Sequence, residues 1–337
     1  MDDWRTAALD IPAVLVTVAA VEGSGPREPG AKMLVSAGQL TGTIGGGHLE
    51  LRAVEIARAM LQNGRGRRIE RFALGPSLGQ CCGGVVHLAF ELADAAQAAL
   101  LDARRTQDSW RMVALDGACD TALLDADGRL LTGAACPLFS RERGTHVVQE
   151  QDGRRWLADL VAAPRAHLVL FGAGHVGQAI VRALAHLPCQ VTWVDERDDM
   201  FPPGVPANVT LEASDLPEAL VAAAPANASY LVMTHSHALD QRLAEAIMAR
   251  SDVGWFGLIG SKTKRRQFEH RLRERGVPEA SIDAMVCPIG LPGISDKAPA
   301  VIAASVAAQL LIEWEQAAQR AAAAPAVRLQ VVASSKT

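Results

Sequence analysis

Three glycine-rich stretches in the N-terminal part of the chain hold the residues best suited to chemistry. They are Gly23-Ser-Gly-Pro-Arg27-Glu-Pro-Gly30, Gly45-Gly46-Gly47-His48-Leu-Glu50 and Gly75-Pro-Ser-Leu-Gly-Gln80-Cys81-Cys82-Gly-Gly84. Glycine at this density lets backbone N–H groups approach an anionic or planar ligand, and equally serves tight turns. Arg27 offers a planar guanidinium suited to a phosphate or carboxylate. Glu50, near a helix start, either meets a ligand or favours the helix dipole. Cys81 and Cys82 are adjacent rather than spaced as CxxC, which argues against a thioredoxin or zinc-ribbon reading. Vicinal thiols in a glycine-rich loop suit a soft metal or sulfur chemistry, with a packed, inert thiol as the alternative.

The C-terminal half carries a second set. Val169-Leu-Phe-Gly172-Ala-Gly174-His175-Val-Gly177 runs an apolar strand into GxGxxG, and the next apolar run, Gln190 to Val194, ends in Asp195. Gly172 allows the tight turn, Gly174 lets backbone approach a phosphate, and Gly177 lets helix pack on strand. Asp195 stands where a ribose hydroxyl is recognised, although a Rossmann sheet that binds no dinucleotide has the same residues. His175, in the first turn, and the cluster Glu196-Arg-Asp-Asp199 favour that second reading. Further along, His235-x-His237 follows one strand and Ser261-Lys262 another. On a regular strand the two histidines face opposite ways, so a hydrogen-bonding role fits them better than a shared metal. Ser261 and Lys262 open a helix, where an oxyanion could bind or Ser261 could simply cap.

These residues need elements to position them. Strands are expected at 11–21, 32–35, 40–44, 68–74 and 85–90, with a helix over 48–63 in which Leu49, Ala53, Ile56, Ala57 and Met60 recur at helical spacing. Residues 93–105 read as a helix, and 110–115, 121–124 and 130–131 as strands. From 168 onward strands (168–172, 190–195, 208–212, 229–234, 254–259, 285–287) alternate with helices (175–187, 215–224, 238–250, 262–275, 297–319). That alternation predicts an α/β chain whose C-terminal part is a Rossmann-like, doubly wound parallel sheet, preceded by a smaller mixed α/β N-terminal domain. The expected divisions are 1–92, a connecting α+β segment and linker over 93–165, the Rossmann-like domain over 166–320, and a flexible tail over 321–337.

Composition narrows the class. Of 337 residues, 49% are hydrophobic, 21% charged and only 4% aromatic, with a net charge of −4. This describes a globular protein without the basic surface of a nucleic-acid binder. The acidic Met1-Asp-Asp-Trp start lacks a signal-peptide pattern, and no uncharged apolar run is long enough to span a bilayer. Six scattered cysteines do not form a secreted disulfide pattern, so the expected location is the cytoplasm.

Taken together, the motifs resemble the XdhC/CoxI family of accessory proteins for molybdenum hydroxylases. The N-terminal likeness rests on Gly23 to Gly30, Gly42-Thr-Ile-Gly-Gly-Gly-His-Leu-Glu50 and Gln80-Cys-Cys-Gly-Gly84. The C-terminal likeness rests on Phe171 to Gly177, Thr234-His-Ser-His-Ala-Leu-Asp240, Gly257 to Arg266 and Pro288-Ile-Gly-Leu-Pro-Gly293. The resemblance implies a protein that binds molybdenum cofactor in its molybdopterin form as cargo. It implies help in installing the terminal sulfido ligand with a cysteine desulfurase, and delivery to the molybdenum subunit of apo-xanthine dehydrogenase. A homodimer also fits that likeness. Whether assisted sulfuration amounts to catalysis, or only to presentation, stays open at the level of sequence. On this reading Arg27, Gly45, Gly46, Gly47, His48, Glu50 and Gln80 contact the cofactor, and Cys81 or Cys82 meets molybdenum or relays sulfur. Gly172, Gly174, His175, Gly177, Asp195, His235, His237, Ser261 and Lys262 form a second wall. The alternatives are an NAD(P)-dependent oxidoreductase and a nucleotide-sensing regulatory module.

Overall fold

The computed structural model describes residues 4–7, 11–64, 66–74 and 83–323. The chain divides into two compact units, Met1–Pro164 and Arg165–Thr337.

In the first unit, a short helix α1 (Trp4–Ala7) precedes β1 (Ala13–Glu22), β2 (Lys32–Ser36) and β3 (Leu40–Gly42). Helix α2 (Gly47–Asn63) then leads to β4 (Arg67–Ala73) and β5 (Val85–Leu92). These strands form one antiparallel sheet in the order β3-β2-β1-β5-β4. The alternation along β1 puts Val14, Val16 and Val18 on one face, where they meet Leu49, Ala53, Ala57 and Met60 of α2. The helical periodicity therefore reports a real buried stripe, and Gly64 closes α2 in the left-handed conformation (φ 62°).

Residues 93–165, expected as a connecting segment, contain α3 (Ala95–Ala103) and a second five-stranded antiparallel sheet. Its strands are β6 (Ser109–Ala114), β7 (Thr121–Asp125), β8 (Leu130–Gly133), β9 (His146–Gln149) and β10 (Arg155–Val161), in the order β8-β7-β6-β10-β9. Sequence patterning found β6, β7 and β8 and missed β9 and β10. The reason lies in β10: Asp159 interrupts an apolar run, yet it is fully buried. Its charge is matched from elsewhere. Lys32 Nζ lies 2.7 Å from Asp159 Oδ1, and Arg111 Nη1 lies 2.8 Å from Oδ2. Arg111 Nη2 also holds Glu91 at 2.7 Å, so the network joins the two sheets of this unit. Around it, Ala19 and Ala89 of the first sheet pack on Val113 and Leu157 of the second.

The second unit begins with β11 (Ala166–Phe171), α4 (His175–Leu184), β12 (Cys189–Asp195) and β13 (Val209–Ala213). It continues with α5 (Pro217–Ala223), β14 (Ser229–Val232), α6 (His237–Met248) and β15 (Trp255–Leu258). Helices α7 (Lys262–Glu274), α8 (Glu279–Ala284) and α9 (Pro299–Ala323) complete it. All five strands are parallel in the order β13-β12-β11-β14-β15, so the doubly wound Rossmann expectation holds. Leu168 and Leu170 face one layer with Ile180, Leu184, Val306 and Leu310, while Val169 and Phe171 face the other with Leu243, Ile247 and Phe268. The strand expected at 285–287 is reduced to one parallel bridge, Gly257 to Val286. Helix α8 was not expected. Among the described residues, no helix is long and apolar enough to cross a membrane.

Candidate functional site

Two glycine-rich stretches of the first unit, 23–30 and 42–50, meet at one end of its first sheet, and Gly84 at the end of the third lies against the first. A Cβ on Gly45 would come within 2.5 Å of Pro26 Cβ and 3.5 Å of Arg27 Cγ, so the 42–50 turn lies directly on the 23–30 loop. On the other side, a Cβ on Gly84 would meet Ser24 O at 2.3 Å. The loop between β4 and β5 is closed at its base by the Leu74 amide donating to Gly84 O at 2.8 Å. Its residues Gln80, Cys81 and Cys82 lie outside the described residues.

Glu50 organises the turn. Its Oε2 accepts hydrogen bonds from Thr43 Oγ1 (2.6 Å), the Ile44 amide (3.1 Å) and the Gly46 amide (3.1 Å), and the Gly45 amide donates to Thr43 Oγ1. Three consecutive glycines hold positive φ, at 121°, 72° and 64°. The amides of residues 44–46 therefore turn inward, unlike the outward-facing set that glycine density alone implies. Gly46 caps α2 without a side-chain bond, which leaves first-turn amides of that helix open among the described residues. His48 is exposed beside them. Arg27 is half-buried, and among the described residues its one ion pair is a loose 4.0 Å approach to the exposed Glu28. The base of the loop is anchored from below, where Lys32 Nζ donates to Gly30 O at 3.0 Å as well as to Asp159.

In the second unit, a narrow cleft opens at the carboxyl ends of β11, β12 and β14, lined by Gly172, Asp195, Glu196, Thr234 and His235 among others. This is the point where strand order reverses, between β11 and β14. Gly172 has φ 116°, and a Cβ there would meet Met233 O at 2.5 Å. A Cβ on Gly177 would meet Gly172 O at 2.2 Å, while Gly174 has open space around it. The turn role of Gly172 and the helix-packing role of Gly177 are visible. His175 is exposed at the first position of α4.

Residues 168–310 match the XdhC Rossmann domain, and residues 7–73 match the XdhC and CoxI family. The chain belongs to the XdhC and CoxI family. A stretch of 148 residues is 32% identical to the uncharacterized protein YqeB of Escherichia coli (strain K12). That match takes in 44% of this chain and 27% of YqeB, so the chain spans about a quarter of that relative's length. A Bacillus halodurans crystal structure described as a xanthine dehydrogenase has the same fold, with a TM-score of 0.72 over 96% of this chain and 98% of that one, at 20% identity.

Within this family member, the remaining expected residues separate. His235 lines the cleft, whereas His237 is exposed at the first position of α6. Among the described residues, no group of three or more His, Cys, Asp or Glu is arranged to hold a metal. Ser261 caps α7, accepting from the Lys264 amide at 3.3 Å, and Lys262 borders a different, open depression with Arg265 and Arg266. Two residues that were not singled out hold this edge together. Buried Asp240 accepts from Thr234 Oγ1 at 2.7 Å and from Lys264 Nζ at 2.7 Å, and Lys264 also donates to Ile259 O at 2.9 Å. The pair ties the 234–237 turn to the 259–264 turn. An acid in the first turn of a helix reads as dipole compensation, and nothing in the sequence marks its partner 24 positions on.

Proposed function

We propose that this chain binds molybdenum cofactor as cargo, supports its sulfuration by a cysteine desulfurase, and delivers it to the molybdenum subunit of an apo-xanthine dehydrogenase. An XdhC-like accessory role is the family's; the cargo, the sulfur chemistry, the partners and a homodimeric assembly are the proposal. The observation that carries it is the junction of the 23–30 loop with the 42–50 turn and the base of the 75–84 loop, with Arg27 held there by no strong partner among the described residues. A molybdopterin is a planar, anionic pterin with a terminal phosphate and a soft dithiolene. A guanidinium and the open amides at the start of α2 suit the phosphate, and thiols of Cys81 or Cys82 suit the metal end. The first unit is accordingly the cargo side of this reading.

The test is to purify the chain from cells that make the cofactor and to assay bound pterin by fluorescence and molybdenum by elemental analysis. Near-stoichiometric pterin is expected. Protein that carries no pterin but binds NAD(P)H tightly overturns the reading in favour of an oxidoreductase or a nucleotide sensor. If Cys81→Ala, Cys82→Ala and the double variant all bind and sulfurate the cofactor normally, the sulfur role is wrong.

A further inference from the structure

The carboxylate that a Rossmann unit normally offers to a ribose is already fully engaged here. Asp195 Oδ1 accepts from the Arg197 amide at 3.0 Å and from Arg197 Nε at 2.9 Å. Its Oδ2 accepts from the Ala173 amide at 2.7 Å and from Arg197 Nη2 at 3.1 Å. A carboxylate has about four acceptor positions, so the set is filled. The Asp195 side chain is 4% exposed, and the Arg197 guanidinium that covers it is 38% exposed. The fork is bidentate, the strongest geometry open to such a pair.

A ribose diol brings two hydroxyls that need an acceptor, and Asp195, the cleft residue placed to accept them, is already bound by the Arg197 guanidinium, which has donors only. A ribose 2′-phosphate would find that guanidinium, but it would also find Glu196 and Asp199 beside it, whose fields already act on Arg197 together with that of Asp195. Both common forms of adenine dinucleotide are therefore disfavoured at the same position, one for want of an acceptor and the other by like charge.

We propose that Arg197 is the specificity-determining residue of the Rossmann cleft: by occupying Asp195 it bars adenine dinucleotides, both NAD(H) and NADP(H), from the switch-point site. The second unit then keeps the dinucleotide-binding fold without its ribose recognition. Asp195 serves instead to pin the Gly172–Gly174 turn through the Ala173 amide. This inference concerns the second unit alone and does not depend on pterin binding by the first.

The experiment is fluorescence titration of the full chain with NADH and with NADPH. The variants are Arg197→Ala, Arg197→Gln and the double variant Arg197→Ala/Asp195→Asn, with folding checked by circular dichroism. The unaltered chain is expected to show no saturable binding up to about 1 mM. Arg197→Ala or Arg197→Gln is expected to gain NADH affinity by about tenfold or more, the worth of one charge-assisted hydrogen bond to the freed carboxylate. The double variant is expected to lose that gain. Saturable micromolar binding of NADH by the unaltered chain overturns the proposal. So does NADPH binding that Arg197→Ala abolishes, because Arg197 would then recruit the dinucleotide. Folded Arg197→Ala and Arg197→Gln proteins that both gain nothing also overturn it.

Discussion

The Gly45–Gly47 turn and the Gly172–Gly177 turn use the same residue for different reasons. In the first, the demand comes from the backbone itself: three successive positive φ angles, with open space where a Gly46 side chain would sit. In the second, Gly172 combines a φ of 116° with close approach to Met233 O, Gly177 is needed because helix and strand approach too closely for a Cβ, and Gly174 has an ordinary φ of −71° and open space. Each turn also has a carboxylate that the sequence offers to a ligand, and in each the turn's own donors take it. Glu50 Oε2 holds Thr43, Ile44 and Gly46, and Asp195 holds Ala173 and Arg197. The contrast lies in the cation. Arg197 is committed to its neighbour, whereas among the described residues Arg27 has only a loose approach to Glu28. Glycine density therefore marks where backbone is constrained, and the proposed cargo site rests on the cation.

The largest test of that contrast removes the support beneath the first region. Asp159→Ala strands Lys32 and Arg111 without their shared carboxylate, and breaking a buried pair from one side costs about 3–5 kcal/mol. Denaturant unfolding should show that loss, and pterin retention should fall with it because Lys32 also anchors Gly30. Next come the glycines. Gly177→Ala, whose Cβ would be driven against Gly172 O, should destabilise by about 1–3 kcal/mol. Gly46→Ala should cost about 1–3 kcal/mol, because its φ of 72° with ψ −170° is a conformation essentially reserved for glycine. Gly174→Ala should change stability by less than about 0.5 kcal/mol. Thermal melts of the three variants rank these costs, and a large loss at Gly174 would undo the distinction between dihedral need and close approach.

Arg27→Ala should leave stability within about 0.5 kcal/mol while lowering pterin retention by about tenfold, since it removes a charge-assisted contact and little packing. Equal retention would move the cargo away from this loop. Acid should act on both regions in the same direction. Burial alone would raise the Asp159 carboxyl, but the charges of Lys32 and Arg111 and their hydrogen bonds outweigh it and hold it below its ordinary 3.8. Burial likewise opposes the shift at Asp195, where Arg197 and two backbone amides win. A carboxyl depressed in the folded state adds stability above its unfolded value, and that stability is lost as pH falls through the lower folded value. Urea midpoints measured from neutral pH into this acid range should fall, and should fall less in Asp159→Asn. The smallest effect is in thiol reactivity. Cys119 is exposed, whereas Cys189 is buried and burial pushes its thiol up to about 11. Mass-spectrometric alkylation should label Cys119 in the folded chain and Cys189 only on unfolding.

Legibility followed sequence distance. The GxGxxG turn, its strand and its helix were readable because each depends on neighbours within one βαβ unit. The α2 stripe was readable for the same reason: its spacing matches the helical period whatever it packs against. Strands β9 and β10 were not, because the burial of Asp159 is made tolerable by Lys32, 127 positions away, and Arg111, 48 away. Asp240 and Lys264 escaped notice on the same ground.

The sequence by itself determined the Rossmann-like half, the glycine-rich turns and the family to which the chain belongs, since local period, turn chemistry and motif order are properties of the chain. Only the tertiary structure decided which polar groups are already taken. Asp195 and Asp159 look alike as letters. Their hydrogen-bond partners arrive by folding, and a carboxylate whose acceptor positions are filled from within has little left to offer a ligand.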